Sequence, residues 1–274
     1  MTDMMEGRAA GAEGARCERV ALSGPDGELV RLLGRSEGLP APLIYRKAWA
    51  LLGFLAMEPD RRHARSVLAA LLWPGLSETS ALTNLRQVLS NLNRYCLKMF
   101  GPGVLRIERS AVALMRGNRV LFDVDLLKQS PCRAMELMAG QHSFLDGMED
   151  VGGADFHGWL EMTRQRLDTQ LIGAVERCCD ELLERQNWER AVEVARVLNQ
   201  RDPWSEEHAR RMMRAHAGAG MRTAALRVYQ SFELMLRKEL GLDPGQETQQ
   251  LLAQISATSA PMRGRPRFDA VLAG

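Results

Sequence analysis

The sequence has little of what marks several large classes of protein. Aromatic residues make up only 5% of it, and no run approaches 18 uncharged apolar residues, so no membrane-spanning helix is expected. The N-terminal run MTDMMEGRAAGAEGARCER lacks the apolar centre of a secretory signal. The five cysteines, Cys17, Cys96, Cys132, Cys178 and Cys179, are odd in number and never stand as C-x-x-C, which argues against a disulfide framework or a zinc site. Cys178 and Cys179 fall in a helical pattern, where they serve as small apolar residues. No G-x-x-x-x-G-K-[ST] or G-x-G-x-x-G loop is present to cradle phosphates. His63, His142, His157, His208 and His216 are scattered, and His208 and His216 stand eight apart, too far for an i, i+4 metal pair. Asp123 and Asp125 alternate on an expected extended segment and share a side, which reads as a domain junction before it reads as a catalytic pair. No nucleophile stands with a base. An enzyme, a metal site and a bound cofactor are therefore not expected; a cytoplasmic chain is.

What the chain does have is an uneven charge. Of 274 residues, Ile44–Val120 holds 12 Lys and Arg against 4 Asp and Glu, whereas Cys132–Ile255 holds 15 against 20. A basic half joined to an acidic half suggests two domains with different partners, nucleic acid first for the basic one. Within it, Thr79–Met99 reads as an amphipathic helix. Leu82, Leu85, Leu89, Leu92, Cys96 and Met99 share one face at i, i+3, i+4, i+7 spacing. The other face carries Thr83, Gln87, Ser90, Asn91, Arg94 and Lys98, with Arg86 at its margin and no acid. Amides, hydroxyls and cations without carboxylates suit phosphates and base edges. The polar set Thr83, Arg86, Gln87, Ser90, Asn91 and Arg94 is the expected base-reading group, Gln87 and Asn91 toward adenine and Arg86 and Arg94 toward guanine.

In chain order, residues 1–17 read as a disordered leader and 18–43 as short antiparallel strands broken at Gly24-Pro25-Asp26-Gly27. A helix follows from Ile44 and stops before Pro59. Asp60–His63 is a polar connector, a second helix runs Ala64–Trp73, and Ser77–Ser80 offers caps for the third. Val104–Glu108 and Ala111–Met115 form a hairpin around Arg109-Ser110, with a further strand at Val120–Phe122. That order predicts a winged-helix domain, α+β, over residues 18–127, the third helix in the major groove and the hairpin along the backbone. Arg46, Lys47, Arg61, Arg62, Arg65, Lys98, Arg106, Arg109, Arg116 and Arg119 are the expected phosphate contacts. Residues 128–255 read as a mainly α domain with helices at 132–139, 156–186, 188–199, 205–217, 222–240 and 246–255. Ala191, Val192, Val194 and Leu198 recur 34 residues on as Ala225, Leu226, Val228 and Phe232, the tetratricopeptide period. Trp159, Trp188 and Trp204 are expected as packing residues. Residues 256–274 read as a disordered basic tail, in which Arg263, Gly264, Arg265 and Pro266 resemble a minor-groove hook.

The second half resembles the bacterial transcriptional activator domain of the Streptomyces antibiotic regulatory protein family. The carrying residues are Phe144–Gly147, the Trp159 region, Asn187–Val192, Asp202-Pro203, and Ala225–Tyr229 running through Leu236–Pro244 to Glu247-Thr248. Leu72-Trp73-Pro74 and Ala81–Ser90 are similar to that family's winged helix, of the response-regulator output type. The resemblance implies a transcriptional regulator, an activator, bound to double-stranded promoter DNA as a homodimer and recruiting RNA polymerase holoenzyme. Gly75, Leu76, Ser77 and Glu78 are the polymerase-contact loop it implies. Two features depart from the pattern: the hairpin turn is Arg109-Ser110-Ala111 where the family carries Gly-Tyr, and the first strands match poorly. A different function class stays open, a tetratricopeptide-like adaptor whose winged helix does not bind DNA. So does the regulatory front of a longer signalling protein.

Overall fold

The computed structural model describes residues 30–33, 43, 45–117, 122–129 and 143–257. The leader, most of the first strands, Arg119, the helix at 132–139 and Arg263, Gly264, Arg265 and Pro266 lie outside them. Among the described residues the chain is mainly helical with one three-stranded antiparallel sheet, and no helix is long and apolar enough to cross a membrane. It divides into two compact units, Met1–Cys178 and Cys179–Gly274.

The first unit opens with α1 (Arg46–Met57), β1 (His63–Ala64), α2 (Arg65–Leu72) and α3 (Glu78–Phe100). The hairpin β2 (Leu105–Ile107) and β3 (Ala111–Leu114) follows. The sheet order is β1-β3-β2, with His63 opposite Val112 and Leu105 opposite Leu114. Ala111–Leu114 is the central strand and buried throughout, as a continuous apolar run allows. The third strand of this sheet is therefore His63–Ala64; of the strand expected at Val120–Phe122, only Phe122 lies among the described residues. His63–Ala64 comes from the stretch read as a polar connector, where Asp60 takes a left-handed φ of 61° and its N–H donates to Leu114 O at 2.8 Å. A two-residue strand is too short to show a period. Phe122 instead bridges Val30 in parallel, while Leu33 bridges Phe144.

Asp123 and Asp125 also depart from the expectation, since they sit in a 3-10 turn rather than an extended segment. Each serves a separate anchor. The Asp123 carboxylate accepts from the N–H groups of Leu32, Leu33 and Val124, each at 2.9 Å. Asp125 pairs with Arg116 and accepts from Phe122 N–H at 3.1 Å. Burial pushes the Asp123 carboxyl up to about 6, against the three hydrogen bonds that favour its charged form. The native state therefore holds that proton more tightly than the unfolded chain, so this group's contribution to stability falls as pH rises from about 4 to 6, by roughly 3 kcal/mol. Urea unfolding of wild type and Asp123→Asn at pH 4, 5, 6 and 7 checks this: the difference between the two should carry that slope. A difference independent of pH would refute it.

Beyond α4 (Leu126–Gln129), the segment Phe144–Gly153 and the first part of α5 (Ala154–Glu184) pack into the same unit. Phe144, Leu145, Met148, Val151, Phe156 and Leu160 are all buried. Leu145 seats closely on α1 at Gly53, where a Cβ would lie 2.6 Å from Leu145 Cδ1 and force that side chain to shift. Trp159 packs against Phe54, Phe144 and Phe156 with ring centroids 4.9, 6.1 and 5.4 Å away. Arg164 holds the segment from α5, its Nε donating to Phe144 O at 2.9 Å and its Nη2 to Leu145 O at 3.2 Å. The expected domain boundary at 127/128 thus falls inside the first unit.

In the second unit α6 (Trp188–Arg201) packs on α7 (Glu206–Gly218), and α7 on α8 (Arg222–Leu240) and α9 (Gln246–Ala257). The 34-residue repeat lands on inward faces: Ala191 and Ala225 have no exposure, and Leu198 and Phe232 have 0% and 4%. Trp188 rests on Gly218, where a Cβ would strike its ring. Trp204 is not a packing residue; it is 41% exposed. Arg211, buried on α7, makes a bidentate pair with Asp180 at 2.8 and 2.9 Å. Gly241, at φ 67°, ends α8 in the left-handed conformation that releases the last carbonyls to it.

Candidate nucleic-acid interface

The helix α3 forms for local reasons as well as tertiary ones. Ser77 caps it by accepting from Ser80 N–H, Glu78 sits in its first turn and Lys98 in its last, each matched to the helix dipole. Gly101, at φ 79°, ends it. Its inner side is broader than the leucine spacing implied: Ala81, Val88, Asn91, Tyr95 and Phe100 are buried beside Leu85, Leu89, Leu92 and Cys96, while Leu82 and Met99 are only half-buried. Tyr95 makes edge contacts with Trp49 at 6.5 Å and Phe100 at 6.4 Å, which fixes the rotation of the helix.

One base-reading expectation fails on that rotation. Asn91 is 3% exposed, in the row of Val88 and Tyr95, and cannot reach a base edge. Thr83, Arg86, Gln87, Ser90 and Arg94 are exposed on a single strip. Thr79 and Leu97, which the leucine pattern assigns to no face, extend it at either end, and Leu97 is 49% exposed. Their spacing of 18 residues, five full turns, is the signal that could have found them. No carboxylate stands on the strip.

The expected phosphate contacts divide in two. Arg46 is tied to Asp150 and to Gly147 O, Arg61 to Glu58 at 2.8 Å, Arg62 to Glu108, and Arg116 to Asp125. Lys47 donates to Leu72 O and lies over the Trp73 ring at 4.6 Å, and burial lowers its pKa. Arg46, Arg61 and Arg62 remain exposed, their side chains 47%, 69% and 65% accessible, so theirs are surface pairs, whereas the Arg116 side chain is 21% exposed. Lys98, Arg106 and Arg109 are exposed, Arg65 is half-buried, and none of the four, nor Arg86 or Arg94, has a carboxylate partner among the described residues. The structure thus separates ion-paired arginines from those with no carboxylate partner among the described residues, a distinction that spacing along the chain does not carry. Arg106 and Arg109 belong to the hairpin, which is tied to α2 by Arg65 N–H donating to Ser110 O at 2.9 Å.

The loop Gly75–Glu78 proves to be half cap and half helix, since Ser77 caps α3 and Glu78 begins it. Pro74 abuts Gly153, where a Cβ would collide with its ring, and Leu76 is 46% exposed above a groove lined by Ala69, Trp73 and Ala81.

No curated protein matches the chain in sequence. Among solved structures, Mycobacterium tuberculosis EmbR in complex with a low affinity phosphopeptide superposes with a TM-score of 0.61 at 18% identity, covering 82% of this chain. The chain spans 64% of the EmbR chain's length. That likeness is one of fold. Residues 125–256, a stretch that begins inside the first unit and runs through the second, match the model of the bacterial transcriptional activator domain.

Proposed function

We propose that the protein is a transcriptional regulator that binds double-stranded promoter DNA through a winged helix formed by α1–α3 and the sheet. The observation that carries this is the exposed, acid-free strip of α3 flanked by cations without carboxylate partners among the described residues. The element order helix, strand, helix, helix, hairpin supports it, and the activator-domain match at 125–256 supports transcription as the setting. Arg86 and Arg94 read guanine, Gln87 adenine, and Thr83 and Ser90 complete the face. Arg65, Lys98, Arg106 and Arg109 anchor phosphates. Binding is as a homodimer, and Leu76, with Gly75, Ser77 and Glu78, offers RNA polymerase a contact beside the DNA. The tetratricopeptide-like second unit serves partner docking.

Titrating a labelled duplex at several salt concentrations tests this reading. Four phosphate contacts per protomer give a slope of log K against log salt of about −3 to −4 for one bound protomer, and about twice that for a dimer. Arg109→Ala should flatten the slope by about 1 per protomer. Binding to no duplex at any salt concentration would instead favour the protein–protein adaptor.

A further inference from the structure

We infer that Thr83 is a thymine reader acting through its γ-methyl group and not through its hydroxyl. This rests on α3 being the recognition helix and names what one position of that helix recognises. The Thr83 Oγ1 donates to Thr79 O at 2.9 Å, one turn back along α3. The oxygen is thereby drawn against the helix backbone and its only proton is committed. The side chain is nonetheless exposed, in the strip that holds Arg86, Gln87 and Ser90. What it presents outward is the methyl. In the major groove the apolar feature that distinguishes one base from the others is the C5-methyl of thymine, so a methyl held outward on a groove-facing helix selects thymine.

The neighbours place the contact. Gln87 lies one turn further on, about 6 Å along the axis, or about two base pairs of duplex. The thymine therefore falls within about two base pairs of the adenine paired by Gln87. Ser90 has no methyl to offer, and the methyl at Thr83 sits in the first third of α3, ahead of Arg94 and Lys98. A hydroxyl reader would instead tolerate serine at this position and fail with valine, so the two assignments make opposite demands on the same side chain.

The test uses the full chain and a duplex selected by it from a randomised pool, with each thymine of the selected site replaced in turn by deoxyuridine, which lacks only the methyl. For wild type, one replacement near the Gln87-paired base should weaken binding about fourfold, the value of one buried methyl-sized group. Thr83→Val keeps the methyl and should keep both the affinity and that sensitivity. Thr83→Ser keeps the hydroxyl and should bind the thymine duplex about fourfold more weakly, with no further loss on deoxyuridine. Thermal unfolding of the three proteins, which should coincide because the residue is exposed, shows that any difference is one of recognition. If a selected duplex binds with salt dependence but no thymine replacement matters, or if serine retains the sensitivity and valine loses it, the methyl contact is wrong while the DNA reading stands. If the pool yields no selected duplex, the DNA reading falls and takes this assignment with it.

Discussion

A chain ended at Leu127 is expected to lose the cooperative folding of the first unit, whereas one ended at Cys178 retains it. The composition shift and the change from mixed to helical texture point to a boundary near 127, yet the core of the first unit is completed by residues beyond it. Phe144, Leu145, Phe156 and Leu160 have exposures between 0% and 2%, and all four would be missing from the shorter chain. Burying a large apolar side chain contributes about 1.5–3 kcal/mol, so these four alone account for about 6–12 kcal/mol. That is comparable with the whole stability of an ordinary domain, about 5–15 kcal/mol. The loss would be compounded at Gly53, left facing a void where Leu145 had packed, and at Phe54, stripped of Trp159. Urea unfolding followed by far-ultraviolet circular dichroism decides the matter. A sigmoidal transition for residues 1–178 and a shallow drift for residues 1–127 is the expected pair, and matching midpoints for the two chains would show that the segment after 143 is not part of this core.

The second large effect belongs to the strip on α3. Replacing Arg86 or Arg94 with alanine is expected to weaken binding to a selected duplex by about 10–100-fold each, since a bidentate arginine–guanine pair is worth about 1–3 kcal/mol. The two residues stand eight apart on one face, about 12 Å along the axis, and so address bases about three to four pairs apart. Contacts that far separated should combine nearly additively in the double variant. Binding to a scrambled duplex should fall far less, because base contacts contribute little to the non-specific complex. Arg94→Lys should not restore the selected site, as an ammonium keeps the charge without the fork. Fluorescence anisotropy on the selected and scrambled duplexes reads both numbers. Equal losses on the two would assign these arginines to phosphates and leave α3 without a base-reading role. Arg116→Ala belongs to another class altogether. With Arg116 enclosed and paired to Asp125, its removal should lower thermal stability and leave the salt slope unchanged.

The sequence by itself determined those elements whose signal is local or periodic. The long helix expected at Thr79–Met99 spans Glu78–Phe100, and the helices expected at 188–199 and 222–240 are Trp188–Arg201 and Arg222–Leu240. Each is capped or ended by residues adjacent in the chain, and each repeats its apolar residues over three turns or more, so neighbours along the sequence are enough to define it. The hairpin around Arg109-Ser110 was legible for the same reason, an apolar run on either side of a short polar turn.

Only the tertiary structure decided the rest. That His63–Ala64 is the third strand depends on pairing with Val112 and Ala111, nearly 50 residues away, and two residues cannot display a period. Asn91 is inside because Tyr95 and Val88 turn α3 by more than the leucine spacing implied. Which arginines are ion-paired could not be read from their positions, since Arg46, Arg62 and Arg116 meet their carboxylates at Asp150, Glu108 and Asp125, partners set by folding and not by local spacing. An unpaired cation and an ion-paired one look alike in a sequence. The difference is Coulombic and geometric, and it exists only once the chain has brought the carboxylates to hand.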